Sequence, residues 1–485
     1  MQQLQKTKAA PLWSFFLNIC AIPHPSKHEQ ALATWIIDWA AKNNITCKQD
    51  TIGNLILSKP ASTGYENKTP VILQAHLDMV PQKNRQTEHN FLTDPIKTII
   101  DGEWLHADNT TLGADNGIGM ASCLAVLADD NIQHGPLEVL LTTDEETGMT
   151  GAFGLQSESL KGKILINTDS EQEGELYVGC AGGINVNISL AYEKMESEPT
   201  AKAFEITLGG LKGGHSGCDI HLDRGNAIKI LADQFVNFDA IPFNLASFEG
   251  GSLRNAIPRE ASAVIVCDEQ YQNSLEIIIN SLQASLTNQY QHSDEDIQLS
   301  ISSIDLPASV LTHESQDNLL NSLRNCDNGV FTMDQNFANV VQTSSNLGVI
   351  KQSHNNHQFF DIQVLVRSQI ETEKYALADK ITQQFKSDTA QVTQEGNYPG
   401  WTPNKKSLIY KVMEEQYLAL FNRTPKTMVI HAGLECGLFS DKYPHWDMIS
   451  FGPTIKFPHS PAEKVHINSV DNYWQLLLAT LKALD

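Results

Sequence analysis

The feature that most constrains this chain is a series of short apolar runs in its first third, spaced between helical stretches. Val71-Ile-Leu-Gln-Ala75, Leu137-Glu-Val-Leu-Leu-Thr-Thr143 and Ile164-Leu-Ile-Asn167 are too short for helices and read as buried strands. Residues 54–58 read as a further strand, and residues 31–41 and the small-residue stretch 117–128 read as helices. This alternation predicts an α/β fold in which a largely parallel central sheet is flanked by helices. In an open sheet of that kind, residues at the carboxyl ends of strands converge on one crevice. Five short segments concentrate His, Asp and Glu at predicted strand ends: His76-Leu-Asp78, Gly113-Ala-Asp115-Asn116-Gly117, Asp144-Glu145-Glu146, Asn167-Thr-Asp169 and Pro458-His459-Ser460.

After Gly182-Gly183 the pattern changes. Residues 204–208, 262–267, 297–301 and 360–366 alternate in polarity like half-buried strands, with helical stretches between them. They predict an inserted α+β domain over 184–395, built of about two similar halves. The first pattern resumes near residue 396, with a helix at 412–421, a strand at 448–451 and a terminal amphipathic helix at 473–484. The expected domains are therefore 1–183 with 396–485, carrying the ionisable clusters, and 184–395. The glycines at 182–183 and 396–400 are the expected hinges.

The 485 residues carry a formal charge of -23, from 57 acidic and 34 basic side chains. A surface of that sign repels nucleic acid and anionic lipid. No apolar run approaches the ~20 residues that a membrane span requires. Lys6 and Lys8 precede an apolar run, but no small-residue cleavage site follows it. Trp13, Phe16, Leu17 and Cys20 share one helical face, so an amphipathic first helix is expected instead of a signal peptide. The eight cysteines form no C-x-x-C pair and lie mostly in apolar segments, as buried thiols of a reduced compartment do. Together these features predict a cytoplasmic protein that binds neither nucleic acid nor membrane.

The clustered residues have chemistry in common. His76 and Asp78, two apart on an extended chain, face one side, so the carboxylate can accept the proton on the far nitrogen of a metal-bound imidazole. Asp144, Glu145 and Glu146 repel one another, and burying them without a cation is costly. One carboxylate binding metal while its neighbour handles protons resolves that cost. Taken singly, each segment also fits a strand-end histidine, a solvated loop or a turn. Ser216 and Ser460 lie beside histidines, but no third orienting group or nucleophile-elbow sequence accompanies them.

In combination and in this order, the segments resemble the two-metal peptidase family that includes the bacterial aminoacyl-histidine (Xaa-His, carnosinase-type) dipeptidases, in the two-zinc aminopeptidase/carboxypeptidase clan. The resemblance covers nearly the whole chain. It includes Gln74-Ala-His-Leu-Asp-Met-Val80, Thr111-Leu-Gly-Ala-Asp-Asn-Gly-Ile-Gly119, Thr143-Asp-Glu-Glu-Thr-Gly148 and Gly213-Gly-His-Ser-Gly217. It continues through Arg254-Asn-Ala-Ile-Pro-Arg259, His431-Ala-Gly-Leu-Glu-Cys-Gly437 and Pro458-His-Ser-Pro461.

The resemblance implies roles. His76 and Asp169 would hold one metal, Glu146 and His459 the other, and Asp115 would bridge them. Asp78 would orient His76, and Glu145 would be the general base on a metal-bridging water. The family also implies a cis peptide after Asp115. Two divalent cations would then bring +4 against five carboxylates, Asp78, Asp115, Glu145, Glu146 and Asp169. Imidazole and carboxylate without thiolate suit Zn2+, with Co2+ or Mn2+ as alternatives. His215 would stabilise the oxyanion, from its own chain or across a homodimer formed through the insertion, which would act as a lid. Arg367 would capture the substrate carboxylate, with Arg254 and Arg259 as alternatives, while Asn255 and Gly433 would contact the ligand. The implied activity is hydrolysis of X-His and other unblocked dipeptides. A tripeptidase and an N-acyl-amino-acid amidase of the same clan are rivals, and a non-catalytic metal-binding protein is the rival from another class.

Overall fold

The structure, a computed structural model, describes residues 2–238, 240–353 and 358–485. It divides into two compact units. The first comprises Met1–Gly179, Trp401–Val429 and Leu434–Asp485; the second comprises Cys180–Gly400 and Ile430–Gly433. The seams fall a few residues outside 184–395, and a four-residue excursion of the later chain joins the second unit.

The first unit is a doubly covered sheet. Eight strands run in the order Thr46–Gln49, Leu55–Lys59, Leu137–Thr142, Val71–His76, Ile164–Asn167, Asp447–Ser450, Glu175–Cys180 and Lys426–Ile430. The four central strands are parallel, from Leu137–Thr142 through Asp447–Ser450. Val71–His76 is buried along its whole length, as a parallel strand covered on both faces must be. Helices Ala10–Cys20, Gln30–Lys42, Ala114–Ala128 and Ile467–Ala483 bury Trp13, Phe16, Ile36, Ile118, Tyr473 and Leu477 in the core built around it. The expected first helix is therefore present, and among the described residues no helix is long and apolar enough to cross a membrane. A separate four-stranded sheet, Ile455–Lys456, Lys464–His466, Trp104–Ala107 and Thr98–Asp101, fixes both ends of the loop that carries His459.

The second unit is α+β. Its main sheet orders the strands Gln298–Ile304, Lys202–Gly209, Ala261–Cys267, Phe243–Gly250, Val341–Gln352, Phe359–Ser368, Gly182–Ala191 and Ala390–Tyr398, with Gly329–Met333 pairing beside Val341–Gln352. Two four-stranded halves meet where Gly250 faces Ile350, the pair registered between their adjoining strands among the described residues. Helix Gln272–Gln289 serves one half and Glu371–Phe385 the other, around a second core that includes Phe204, Phe248, Phe360 and Ile381. The ends of this unit cross closely: a Cβ on Gly182 would lie 2.6 Å from the Gly400 nitrogen, so glycine is required there.

Candidate metal centre

Because the central strands are parallel, Val71–His76, Leu137–Thr142 and Ile164–Asn167 all end on one side of the sheet, and they deliver His76, Glu145–Glu146 and Asp169 to one place. His76 is 1% exposed. Its Nδ1 lies 3.0 Å from the backbone carbonyl oxygen of Asp78 and 3.4 Å from that residue's Oδ1. Its Nε2 faces Asp115 Oδ1 at 3.1 Å and Asp169 Oδ1 at 3.3 Å. An imidazole held through Nδ1 presents Nε2 as the ligand atom.

Asp115 stands between two imidazoles. Its second oxygen, Oδ2, lies 3.2 Å from His459 Nε2, which in turn lies 3.0 Å from Glu146 Oε2. Gly113, at φ 69°, turns the chain into this position, and Asp115 and Asn116 keep non-helical angles before the regular helix begins. The Asp115–Asn116 peptide is cis, as the family resemblance implies. Asn116 donates its side-chain N–H to Asp169. Three groups with ligand atoms within 4.8 Å of one another result: His76, Asp115 and Asp169; Asp115, Glu146 and His459; and His76, Glu145 and Glu146.

The acidic triple divides as its local geometry dictates. Asp144, at φ 53°, accepts the hydroxyls of Thr147 and Thr150. Glu145 and Glu146 open a one-turn helix, Glu145–Gly148, whose first N–H groups are capped by Asp78: Glu145 N donates to Oδ1 at 2.9 Å and Glu146 N to Oδ2 at 3.2 Å. Ser26 donates to the same Oδ2 at 2.7 Å. A fourth acidic group, Glu29, Asp78 and Asp144, is satisfied by such bonds; Glu29 Oε1 accepts from Lys27 N and Asp144 N.

The electrostatics are those of a crowded anionic site. Burial, with the charges of Asp169, Glu146 and Glu435, raises Glu145 well above the usual carboxylate range. Burial and Asp115 raise Glu146, and burial and Asp115 likewise raise Asp169. For Asp115 itself burial acts upward, but the hydrogen-bonded imidazoles of His459 and His76 outweigh it and hold the carboxyl far down. Hydrogen bonds to Asp115 and Glu146 lift His459 to about 11. Divalent cations would replace those protons, and the donor set of carboxylate oxygens and imidazole nitrogens fits them.

Three carboxylates join the site that the strand-end pattern did not single out. Glu435, 1% exposed, accepts from Gln74 Nε2 at 2.5 Å and Thr142 Oγ1 at 2.8 Å, and burial pushes it up to about 8. Glu171 is pushed up to about 8 by burial and the charges of Asp115 and Asp169. Glu463 is pushed up to about 7 by burial and Asp115, although backbone N–H groups pull it back. Glu435 lies inside a motif already noted, and Glu463 lies four residues beyond His459; an acid in such an apolar or small-residue setting is the signal that could have found them.

His215, Asn255, Arg367 and Gly433 belong to the second unit. Arg367 is 4% exposed, whereas Arg254, Arg259 and Asn255 are exposed and Gly433 is half-buried. The Arg367 guanidinium contacts Ser216 Oγ at 3.3 Å, Tyr398 Oη at 2.7 Å and His215 Nε2 at 3.4 Å, none of them a carboxylate. His215 Nδ1 accepts the N–H groups of Gly217 at 3.2 Å and Cys218 at 3.0 Å, which leaves the ring proton on Nε2. Burial, with Arg367 beside it, lowers His215 to about 4 and keeps it neutral. Two donors thus face each other, the arrangement an anionic ligand would complete.

The comparisons with known proteins agree with this geometry. The model of peptidase family M20/M25/M40 matches residues 72–483. The chain is 47% identical over 485 residues to the cytosol non-specific dipeptidase of Escherichia coli (strain K12), covering 100% of this chain and 99% of that one. It superposes on the crystal structure of aminoacylhistidine dipeptidase from Vibrio alginolyticus with a TM-score of 0.89 at 47% identity, over 99% of this chain and 98% of that one. A tripeptidase from Staphylococcus aureus shares the fold, with a TM-score of 0.61 at 14% identity and 98% coverage of both chains.

Proposed function

From the premise that this chain belongs to peptidase family M20/M25/M40, we propose that it is a metal-dependent dipeptidase that hydrolyses X-His and other unblocked dipeptides. The observation that carries the reading is the trio of overlapping ligand groups, in which Asp115 offers one oxygen to each of two imidazoles. His76 and Asp169 would hold one divalent cation, Glu146 and His459 the other, and Asp115 would contribute to both. Zn2+ is the expected ion, with Co2+ or Mn2+ as substitutes of the same ligand preference. When bound, such ions would supply Lewis acidity to the scissile carbonyl and lower the pKa of the attacking water.

The remaining chemistry belongs to side chains. Glu145 has a raised proton affinity and stands beside His76 and Glu146, so it takes a proton from the attacking water and returns it to the leaving amine. Asp78 sets the Nδ1 side of His76 and the backbone that presents Glu145. His215 donates its Nε2 proton to the oxyanion of the tetrahedral species. Arg367 pairs with the free carboxylate of the dipeptide, Asn255 adds a hydrogen bond, and Gly433 lets the backbone approach the ligand. The insertion, residues 184–395, would act as a lid, and a homodimer formed through it would let His215 act across protomers. The relatives support a cytoplasmic location, since the Escherichia coli protein is described as cytosolic.

One substrate panel tests the reading: the Zn2+-loaded protein with carnosine, several α-dipeptides, a tripeptide and an N-acetyl amino acid. Turnover of dipeptides is expected. Turnover of the acylated compound alone would convert the assignment to an amidase, and preference for the tripeptide would convert it to a tripeptidase.

A further inference from the structure

We propose that Glu463 is a positioning residue for the metal pair, one whose carboxylate locks residues 112–115 so that Asp115 stands in register with His459. The inference rests on the two-metal reading above.

Glu463 is 2% exposed. Its Oε2 accepts the backbone N–H groups of Leu112 at 2.7 Å and Gly113 at 3.0 Å, and its Oε1 accepts those of Ala114 at 2.8 Å and Asp115 at 3.3 Å. A carboxylate offers about four lone-pair directions, so this one is filled by four consecutive backbone donors. Three of those donors, on Gly113, Ala114 and Asp115, lie in the irregular turn that opens helix Ala114–Ala128, whose N-cap residue, Gly113, has no side chain to satisfy them, and Leu112 immediately precedes it. The cap comes instead from a residue some 350 positions later. It comes from the segment that also carries His459, between strands Ile455–Lys456 and Lys464–His466, whose antiparallel pairing fixes the segment's ends. One short segment therefore supplies a ligand of the second cation and holds the backbone of the shared ligand. Any displacement of it carries Asp115 Oδ2 and His459 Nε2, now 3.2 Å apart, together.

Glu463→Gln tests this. The variant keeps one acceptor oxygen and turns an amide N–H2 toward two of the four donors. With Mn2+ as probe, wild type is expected to bind two ions that show an exchange-coupled electron paramagnetic resonance signal. The variant is expected to bind the second ion about 10–100-fold more weakly and to show the six-line signal of isolated Mn2+. Its kcat should fall at fixed Mn2+, KM for a dipeptide should change little, and its far-ultraviolet circular dichroism should match wild type. A variant that takes up both ions with wild-type affinity and a coupled spectrum overturns the proposal, even if it melts lower, because Glu463 would then be only structural. Wild type failing to bind two ions sinks the two-metal reading itself, and this inference with it. If Glu463→Gln does not fold, Glu463→Asp, which keeps the charge and shortens its reach by one methylene, carries the same measurements and the same outcomes.

Discussion

The carboxylate of Asp78 accepts the backbone N–H of Glu145 at 2.9 Å. The same side chain accepts from Glu146 N and Ser26 Oγ and faces His76 Nδ1. One buried acid therefore sets two proposed ligands and the proposed base at once. Asp78→Asn keeps the shape and removes the charge, and it turns an amide toward one of the donors. A fall in kcat of about 10–100-fold is expected in protein saturated with metal. An unchanged kcat would show that the backbone carbonyl of Asp78, 3.0 Å from His76 Nδ1, is sufficient alone.

Glu145 and Glu146 are neighbours with different expected roles, and substitution separates them. Glu145→Ala should lower kcat by at least about 10²–10⁴-fold, the contribution of a general base, while metal content stays near two per chain. Glu146→Ala should lose metal from one site. Elemental analysis of the two variants decides the matter; lost metal in the first and retained metal in the second would exchange the assignments.

How far the sequence carried this picture follows from where each residue sits. His76, Glu146 and Asp169 were legible because each stands at or just beyond the end of an apolar strand, and parallel strands bring such ends together without further information. The α+β character of the insertion was legible from alternating polarity in residues such as 204–208. Glu463 was not singled out: its setting hinted at a buried acid, but its partners are backbone N–H groups of residues 112–115, which leave no mark on side-chain pattern and hide what it does. The excursion of Ile430–Gly433 into the second unit was equally hidden: the strand leading into it belongs to the first unit up to Val429, and the helix after it belongs there too.

Removing the cations should unmask the repulsion among Asp115, Glu145, Glu146 and Asp169, which lie in overlapping groups. Ions that bind only the native state stabilise it by mass action, by about 2.7 kcal/mol at a free concentration one hundred times Kd. Chelation should therefore lower the thermal midpoint, and added Zn2+ should restore it. Equal midpoints with and without chelator would contradict an anionic pair of sites.

Among the described residues Arg367 contacts a serine, a tyrosine and a histidine but no acid, an arrangement suited to receiving an anion. Arg367→Lys keeps the charge and loses the planar fork that grips a carboxylate bidentately. KM for a free dipeptide should rise about 10–100-fold. KM for the same dipeptide with an amidated C-terminus, already high in wild type, should change far less. Equal effects on both substrates would remove Arg367 from carboxylate recognition.

His431 supplies a pH test away from the metal ligands. It is buried in the second unit, its Nε2 lies 2.7 Å from Ser344 Oγ, and burial with the nearby Arg367 and His215 lowers it to about 3. Its unfolded value is about 6.5. Between pH 6.5 and 3 the unfolded chain binds a proton that the folded chain refuses. Stability from this group is therefore complete above about pH 6.5 and is lost as pH falls toward 3, at up to about 1.4 kcal/mol per pH unit. His215, lowered to about 4, adds to the slope over the upper part of that window. In denaturant unfolding from pH 7 to pH 4, His431→Gln should show a shallower loss of stability than wild type by about one proton's worth. Parallel curves for the two proteins would mean that the folded protein accommodates a protonated His431.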